Sequence, residues 1–212
     1  MGKIKQGILG GFSGKVGNVI GTSWKGISVV KVMPQSVANP KTAPQVAQRT
    51  LLSNAVAFAT EILSSIIKPL NDRFAQKMSG YNMFISRNLS LFTSKTPSDP
   101  MQLVIASGKI DKTDVSVTAD ASDHELTLHW TPDGGVGYKM DSDILYVVAI
   151  NKEQEVVAAY PAHATRDAGV SSLVPPSGFL IAGQTIYIAC AFLRADGSLV
   201  SDTSNASVVI SA

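Results

Sequence analysis

The sequence predicts a mixed α+β chain, with a basic N-terminal β-hairpin plus helices followed by an acidic antiparallel β-sandwich. Three observations lead there. Apolar residues recur every ~3.6 positions before residues 93–100 and every ~2 after them. Glycine is concentrated at the start, where residues 1–34 hold eight of the 17 in the chain. Charge divides along the same line: residues 1–95 carry 12 Lys/Arg and two acids, whereas the other 117 carry six bases and 14 acids. The halves are therefore +10 and −8 inside a total of +2. Such asymmetry points to two domains, residues 1–95 and 101–212, with the basic one facing something negative.

The elements follow in order. Lys15–Ser23 and Ile27–Met33 read as two strands, with Trp24-Lys25-Gly26 as their turn. On that reading Gly17 and Gly21 share a strand face, which marks close approach of another backbone. A two-stranded hairpin is unstable alone in water, so it is expected to pack on a further element or subunit. Pro34 to Pro40 is a connector. Thr42 then caps a helix, with Gln45 completing a capping box and Pro44 tolerated in the first turn. The helix is expected from about Ala43 to Lys68 on the spacing of Leu52, Ala55, Val56, Ala59, Ile62, Leu63, Ile66 and Ile67, and Pro69 ends or kinks it. A short helix at Leu70–Met78 and another at Tyr81–Phe92 follow, separated by Ser79-Gly80. Phe74, Met78, Tyr81, Phe84, Ile85, Leu89 and Phe92 are the expected aromatic part of this core.

Pro97 and Pro100 mark the domain boundary. Beyond it, strands are expected at Leu103–Ile105, Asp114–Ala119, Glu125–Thr131, Ile144–Asn151, Glu155–Tyr160, Ser171–Leu173, Thr185–Leu193 and Ala206–Ile210. Short strands at this density, separated by turn signals, argue for a sandwich.

Sites of chemistry are not visible. The single cysteine, Cys190, excludes an internal disulfide and sits in an apolar run as a small buried hydrophobe. Gly10-Gly-Phe-Ser-Gly-Lys15 looks like a phosphate-binding loop, but Leu9 replaces its first glycine and Val16 its Ser/Thr. His124 and His129 are expected on opposite faces of one strand, and His163 in a loop. Asp141-Ser-Asp143 and the acids Asp111, Asp114, Asp120 and Asp123 lack the offsets of a calcium loop. No catalytic residue, cofactor or metal is expected. The N-terminus lacks the apolar stretch of a secretory signal, and Gln6 breaks the myristoylation pattern. No apolar run approaches the ~20 residues of a membrane span, so no membrane insertion is expected and the chain is expected to start in the cytoplasm.

Two stretches carry resemblances. Glu-Leu-Thr-Leu-His-Trp-Thr-Pro (125–132) resembles the second-strand signature of fibronectin type III domains, and Ala-Gly-Gln-Thr-Ile-Tyr-Ile-Ala-Cys-Ala-Phe (182–192) is similar to their tyrosine corner. The resemblance covers about half the chain and implies a fibronectin/immunoglobulin-like sandwich. Trp130 would be its core aromatic, and Tyr187 would send its hydroxyl to loop backbone. It implies a fold and no function. Phe-Ser-Gly-Lys-Val-Gly-Asn-Val-Ile-Gly-Thr-Ser-Trp-Lys-Gly (12–26), with residues 39–49 and 79–84, resembles an uncharacterised family (a domain of unknown function) found in Bacteroidota and their bacteriophages. That resemblance spans essentially the whole chain, carries no catalytic residues, and implies a phage or prophage-like structural gene.

The expectation is therefore a non-enzymatic structural component of a virion, made in the host cytoplasm and placed at a connector (neck), tail or capsid-decorating position. Its assembly interface would be the hairpin residues Lys15, Val16, Gly17, Asn18, Ile20, Trp24, Lys25 and Ile27, adding to a neighbour's sheet or backbone. Gly17→Val is expected to block this, and the sandwich would project outward as an interaction or adhesion face. Expected partners are further copies in a homo-oligomer (including a neighbour's acidic sandwich), other virion proteins, and DNA contacted without sequence specificity. The competing reading is a bacterial binding module that recognises a glycan or surface protein through sandwich loops.

Overall fold

Two tight turns shape the N-terminus. The computed structural model describes residues 2–4, 11–36, 39–122 and 124–211. Gly7, Gly10, part of the connector at 37–38, and Asp123 thus lie outside the described residues. The chain divides into two compact units, one of residues 1–46 with 76–78 and one of 47–75 with 79–212.

The first unit is a four-stranded antiparallel sheet rather than a hairpin. Its strands are β1 (Gly2–Ile4), β2 (Gly14–Val16), β3 (Val19–Trp24) and β4 (Ile27–Val32), in the order β1-β4-β3-β2. The expected strand at 15–23 is broken by a two-residue turn, Gly17-Asn18, across which Val16 pairs with Val19. Gly17 takes φ +58°, a region that costs a side-chain-bearing residue strain. At the next turn Lys25 and Gly26 both have positive φ, 45° and 78°, and Trp24 pairs directly with Ile27. This mirror-image turn matches the twist of the strands it joins. Because the chain turns at Gly17, it shares no strand face with Gly21, contrary to expectation. Gly21 does mark a close approach, but by its own chain: a Cβ there would stand 2.4 Å from the Phe12 carbonyl oxygen and 2.5 Å from its ring. The Lys25 ammonium donates to the Met78 carbonyl, within the same unit.

The second unit has three layers. Val46 N–H donates to the Thr42 carbonyl (3.0 Å), which sets Thr42 at the N-cap of α1 (Ala43–Glu61) as expected. The helix does not run on to Lys68. It bends by 71° at a break after Glu61, passes through a wide π-type turn at Leu63–Ile67, and resumes as α2 (Lys68–Asn71) with Pro69 in its first turn. Pro69 has no N–H and its ring excludes the carbonyl four residues back, so the ladder adjusts upstream of it. Ile67 N–H accordingly reaches Ile62 O, five residues back, at 3.1 Å. The expected helix over 70–78 stops at Asn71. Ser79 caps α3 (Gly80–Asn88) by accepting from Asn82 N–H, and a single 3-10 turn, Leu89–Leu91, completes the expected third helix.

Seven strands form two antiparallel sheets. One holds β5 (Val115–Asp120), β6 (Glu125–Trp130) and β9 (Val170–Leu173), in the order β5-β6-β9. The other holds β7 (Ile144–Asn151), β8 (Val156–Thr165), β10 (Thr185–Leu193) and β11 (Ser204–Val209), in the order β11-β10-β7-β8. The expected strand at Leu103–Ile105 is absent, because its backbone bonds go to side chains. Asn88 Oδ1 accepts from Val104 N–H (2.8 Å), Thr203 Oγ1 accepts from Ile105 and Ala106 (3.0 Å each), and Asn71 Nδ2 donates to Ile105 O (2.9 Å).

The central strands are buried on both faces. Leu145, Val147, Ile186, Ile188, Cys190 and Phe192 share one apolar cluster with Val117, Leu126, Leu128, Trp130 and Leu173 of the three-stranded sheet. The alternate residues Tyr146, Val148, Ile150, Ala189, Ala191 and Leu193 pack instead on the helices, against Phe58, Ile62, Ile66, Phe84 and Phe92. Phe58 stacks on Phe84 (6.3 Å, 4°) and tilts on Phe92 (5.1 Å). Helices and strands therefore share a core, and the expected boundary at 95–101 falls inside one compact unit. The same packing covers a sheet face expected to project outward. Within the helical stripe Leu52, Val56 and Met78 are exposed, and Phe58, not among the expected core residues, takes a central place.

Candidate functional site

In the first unit, register decides which expected interface residues meet. Side chains directly opposite across strands share a face. Lys15, Ile20 and Lys31 form one such row, and Trp24 and Ile27 another, with Thr22 and Val29 between them. Lys15, Ile20, Trp24 and Ile27 thus come together on one face. Val16 lies on the opposite face with Val19 and Val32, while Gly17, Asn18 and Lys25 occupy the turns. Val29 and Lys31 join the face although they were not singled out; the alternation Ile27, Val29, Lys31 in the sequence is the signal that finds them. Trp24 is 48% exposed with the Lys25 ammonium 5.6 Å from its ring centroid, and Val16 and Val32 are 65% and 71% exposed. The unit's sequence carries seven lysines and no acid. An apolar, aromatic face surrounded by unopposed cations is what it offers.

In the second unit, a buried ion network holds the loops at one end of the sheets. Arg166 is fully buried. Its Nε donates to Asp143 Oδ2 (3.2 Å), and its Nη1 donates to Asp133 Oδ1 (2.7 Å) and to the Thr113 hydroxyl. Its guanidinium lies 4.0 Å from the Phe192 ring centroid, and its carbonyl accepts from Trp130 Nε1 (2.7 Å). Lys139 also bonds Asp133. Burial pushes the Asp133 carboxyl up, but the hydrogen bonds and charges of Lys139 and Arg166 together outweigh it and hold it below its ordinary value. A buried pair of this kind holds loops in one register more than it adds stability. The sequence signal for Arg166 is weak: it is one of two arginines in the acidic half, the other being Arg194.

The other residues singled out are dispersed. Trp130 is in the inter-sheet core, edge-on to Phe192 at 5.9 Å, as expected. Tyr187 is not: it lies on the opposite face of β10, half-buried against the helices, and among the described residues its hydroxyl bonds no loop backbone. His124 precedes β6 with φ +55° rather than sharing the strand with His129, and His163 lies in β8, its Nε2 2.9 Å from Ser172 O. Asp143 serves Arg166. Among the described residues no three His, Cys, Asp or Glu side chains gather where a metal ion could sit. Burial pushes the Cys190 thiol up to about 12, which leaves it no thiolate character. A hollow of about 400 Å³ is lined by His124, Val174, Pro175, Pro176 and Leu180 without a carboxylate. No single helix among the described residues is long and apolar enough to cross a membrane.

Comparison with known proteins adds the family. No curated protein matches the chain. Among solved structures, chicken CNTN1 FN1–FN3 domains are similar over 50% of this chain and 35% of that one, with TM-score 0.37 and 12% identity. A β-1,2-glucanase from Parabacteroides distasonis matches 50% of this chain and 14% of its own (TM-score 0.33, 8% identity). Pectate lyase Pel3 from Pectobacterium carotovorum matches 45% and 26% (TM-score 0.27, 12% identity). The chain thus spans only 14–35% of the length of these structures, and none is similar enough to speak for its activity. A family model does match, over residues 11–207, and by that match the chain belongs to a family of unknown function, DUF6266.

Proposed function

We propose that this chain is a non-enzymatic structural protein that works by multimeric assembly through its N-terminal sheet, as a component of a bacteriophage virion. The observation that carries the assembly reading is the sheet face itself. Ile20, Trp24, Ile27 and Val29 lie together beside Lys15 and Lys31, in a small sheet that buries few of its own side chains. Exposed apolar and aromatic side chains grouped on one sheet face are what a partner would cover. The virion context rests on the family resemblance of residues 12–26, 39–49 and 79–84. The finer fold reading, a fibronectin type III-like sandwich, is supported by the three- and four-stranded sheets sharing a core around Trp130. The unopposed lysines would also serve non-specific contact with packaged DNA.

The test is the absolute mass of the purified protein by light scattering after size exclusion. Wild type is expected as a defined multimer, and Trp24→Ala should lose it while keeping the wild-type thermal unfolding transition. Removing a central aromatic of an interface typically weakens it by at least ~2 kcal/mol. An unchanged mass for Trp24→Ala would reject the sheet as the interface. Gly17→Val is a poorer probe than the sequence suggested. Gly17 is a turn residue with open space around its Cβ position, so the substitution acts through backbone strain and not by blocking a face. One feature favours the competing binding-module reading: the loop Gly134–Met140 exposes Val136, Tyr138 and Met140.

A further inference from the structure

Resting on the assembly reading, we propose that the partner of the N-terminal sheet is a second copy of this chain, docked at its Gly134–Met140 loop. The loop presents an apolar tip, with Val136, Tyr138 and Met140 64%, 57% and 48% exposed. It is held rather than slack. Gly135 N–H donates to Lys139 O (2.9 Å), Lys139 N–H to Val136 O (3.0 Å), and the Arg194 guanidinium to Tyr138 O. Lys139 Nζ is tied to Lys112 O (3.2 Å) and to Asp133, which Arg166 holds from below. A loop already in one conformation loses little freedom on binding.

Charge decides the occupant. Exposed acids surround the tip. Asp111 Oδ2 lies 3.9 Å from where a Gly137 Cβ would stand, and Asp167 N–H donates to Asp141 O (3.2 Å). The bases here are Lys112, which is exposed, Lys139, paired with Asp133, and Arg194, which bonds Tyr138 O and lies 4.0 Å from Asp143. Asp111, Asp141 and Asp167 therefore leave the tip with a small net negative charge. The N-terminal sheet is the converse: an apolar centre of Trp24, Ile20 and Ile27 beside Lys15, Lys25 and Lys31, in a unit without an acid. An apolar core with a basic rim facing an apolar core with an acidic rim has the anatomy of a specific interface, and the rim charges set its register. The two surfaces are different, so the contact is heterologous. Repeated head to tail, it generates a ring or a filament.

The experiment is sedimentation velocity at low and high salt on wild type, on Lys15→Glu/Lys31→Glu, on Asp111→Lys/Asp167→Lys, and on a 1:1 mixture of the two variants. Unfolding transitions confirm that each is folded. Wild type should self-associate and dissociate as salt rises, and each variant alone should associate roughly a hundredfold more weakly. The mixture should recover association, because each reversed surface then meets its complement. Three results would overturn the proposal: a wild type that is monomeric at all salts, a mixture that stays apart, or a monomer that captures a mixed-sequence oligonucleotide through the same lysines. Association lost with Lys15→Glu/Lys31→Glu but indifferent to Asp111→Lys/Asp167→Lys would overturn the loop as partner and leave sheet-driven assembly standing. Association indifferent to both sets would remove the sheet reading as well.

Discussion

The N-terminal sheet and the four-stranded sheet of the second unit are built from the same kind of strand and meet opposite fates. In β7 and β10 nearly every side chain is buried, because one face packs on the three-stranded sheet and the other on helices. In β2–β4 only Gly21 is fully buried, and Val16, Trp24 and Val32 stay exposed. The contrast shows that β-propensity builds both sheets, while layers on both sides make only one of them a core. Exposed Val and Trp on the first of these sheets are the reason for proposing that a partner covers it.

The comparison can be broken at its strongest point first. Arg166→Ala should destabilise the second unit by about 3–5 kcal/mol, because it breaks the buried pair with Asp143 and leaves that side chain the longer 4.0 Å approach of Arg194 as its ion pair. A shift of the urea unfolding midpoint at constant slope measures this. Phe58→Ala comes next. It opens a cavity between helices and sheet, so the whole unit should lose about 3–5 kcal/mol in one transition. A separate, earlier helical transition would instead divide the unit near residues 95–101. Gly21→Val should cost about 1–3 kcal/mol by overpacking against Phe12, and the loss should be confined to the first unit. Proteolysis within residues 11–36, with the main unfolding transition unmoved, would show that the two regions are energetically separate.

The smallest effect concerns pH. Asp133 has its folded-state value lowered below the ordinary 3.8, so its contribution is present above that value and is lost as pH falls through the folded one. Wild type should therefore lose stability on acidification below about pH 4, and Asp133→Asn should show a flatter acid limb. Identical acid limbs would mean that the Arg166 network does not depend on that carboxylate.

The second unit was more legible in the sequence than the first. Ile144–Asn151 and Thr185–Leu193 were located to the residue, because long apolar runs of β-branched and aromatic residues admit few alternatives. Ile-Leu-Tyr-Val-Val-Ala-Ile is apolar on both faces, which already implies a layer on each side. In the N-terminal unit the alternation of Ile27, Val29 and Lys31 is readable, but the sequence pattern carries a strand straight through Gly17-Asn18. A glycine inside an apolar stretch reads equally as a pleat or a turn, and only the pairing of Val16 with Val19 decides. The loop anchors were invisible for a different reason. Asp133, Asp143, Arg166 and Thr113 come from separate connections, and their spacing in sequence says nothing about their meeting.

By itself the sequence determined what short-range physics governs: the charge split, the α+β content, and the places of helix caps and long strands. Local propensity and periodicity suffice for these, since each depends on neighbours within a few residues. The tertiary structure alone decided that helices and sheets share one core, that Tyr187 faces the helices, that Leu103–Ile105 gives its bonds to Asn71, Asn88 and Thr203, and that Lys15, Ile20, Trp24 and Ile27 share a face. The first three depend on pairing between segments far apart in the chain, and the last on where the chain turns between neighbouring strands. That pairing is selected by the burial of the whole molecule, and no single segment encodes it.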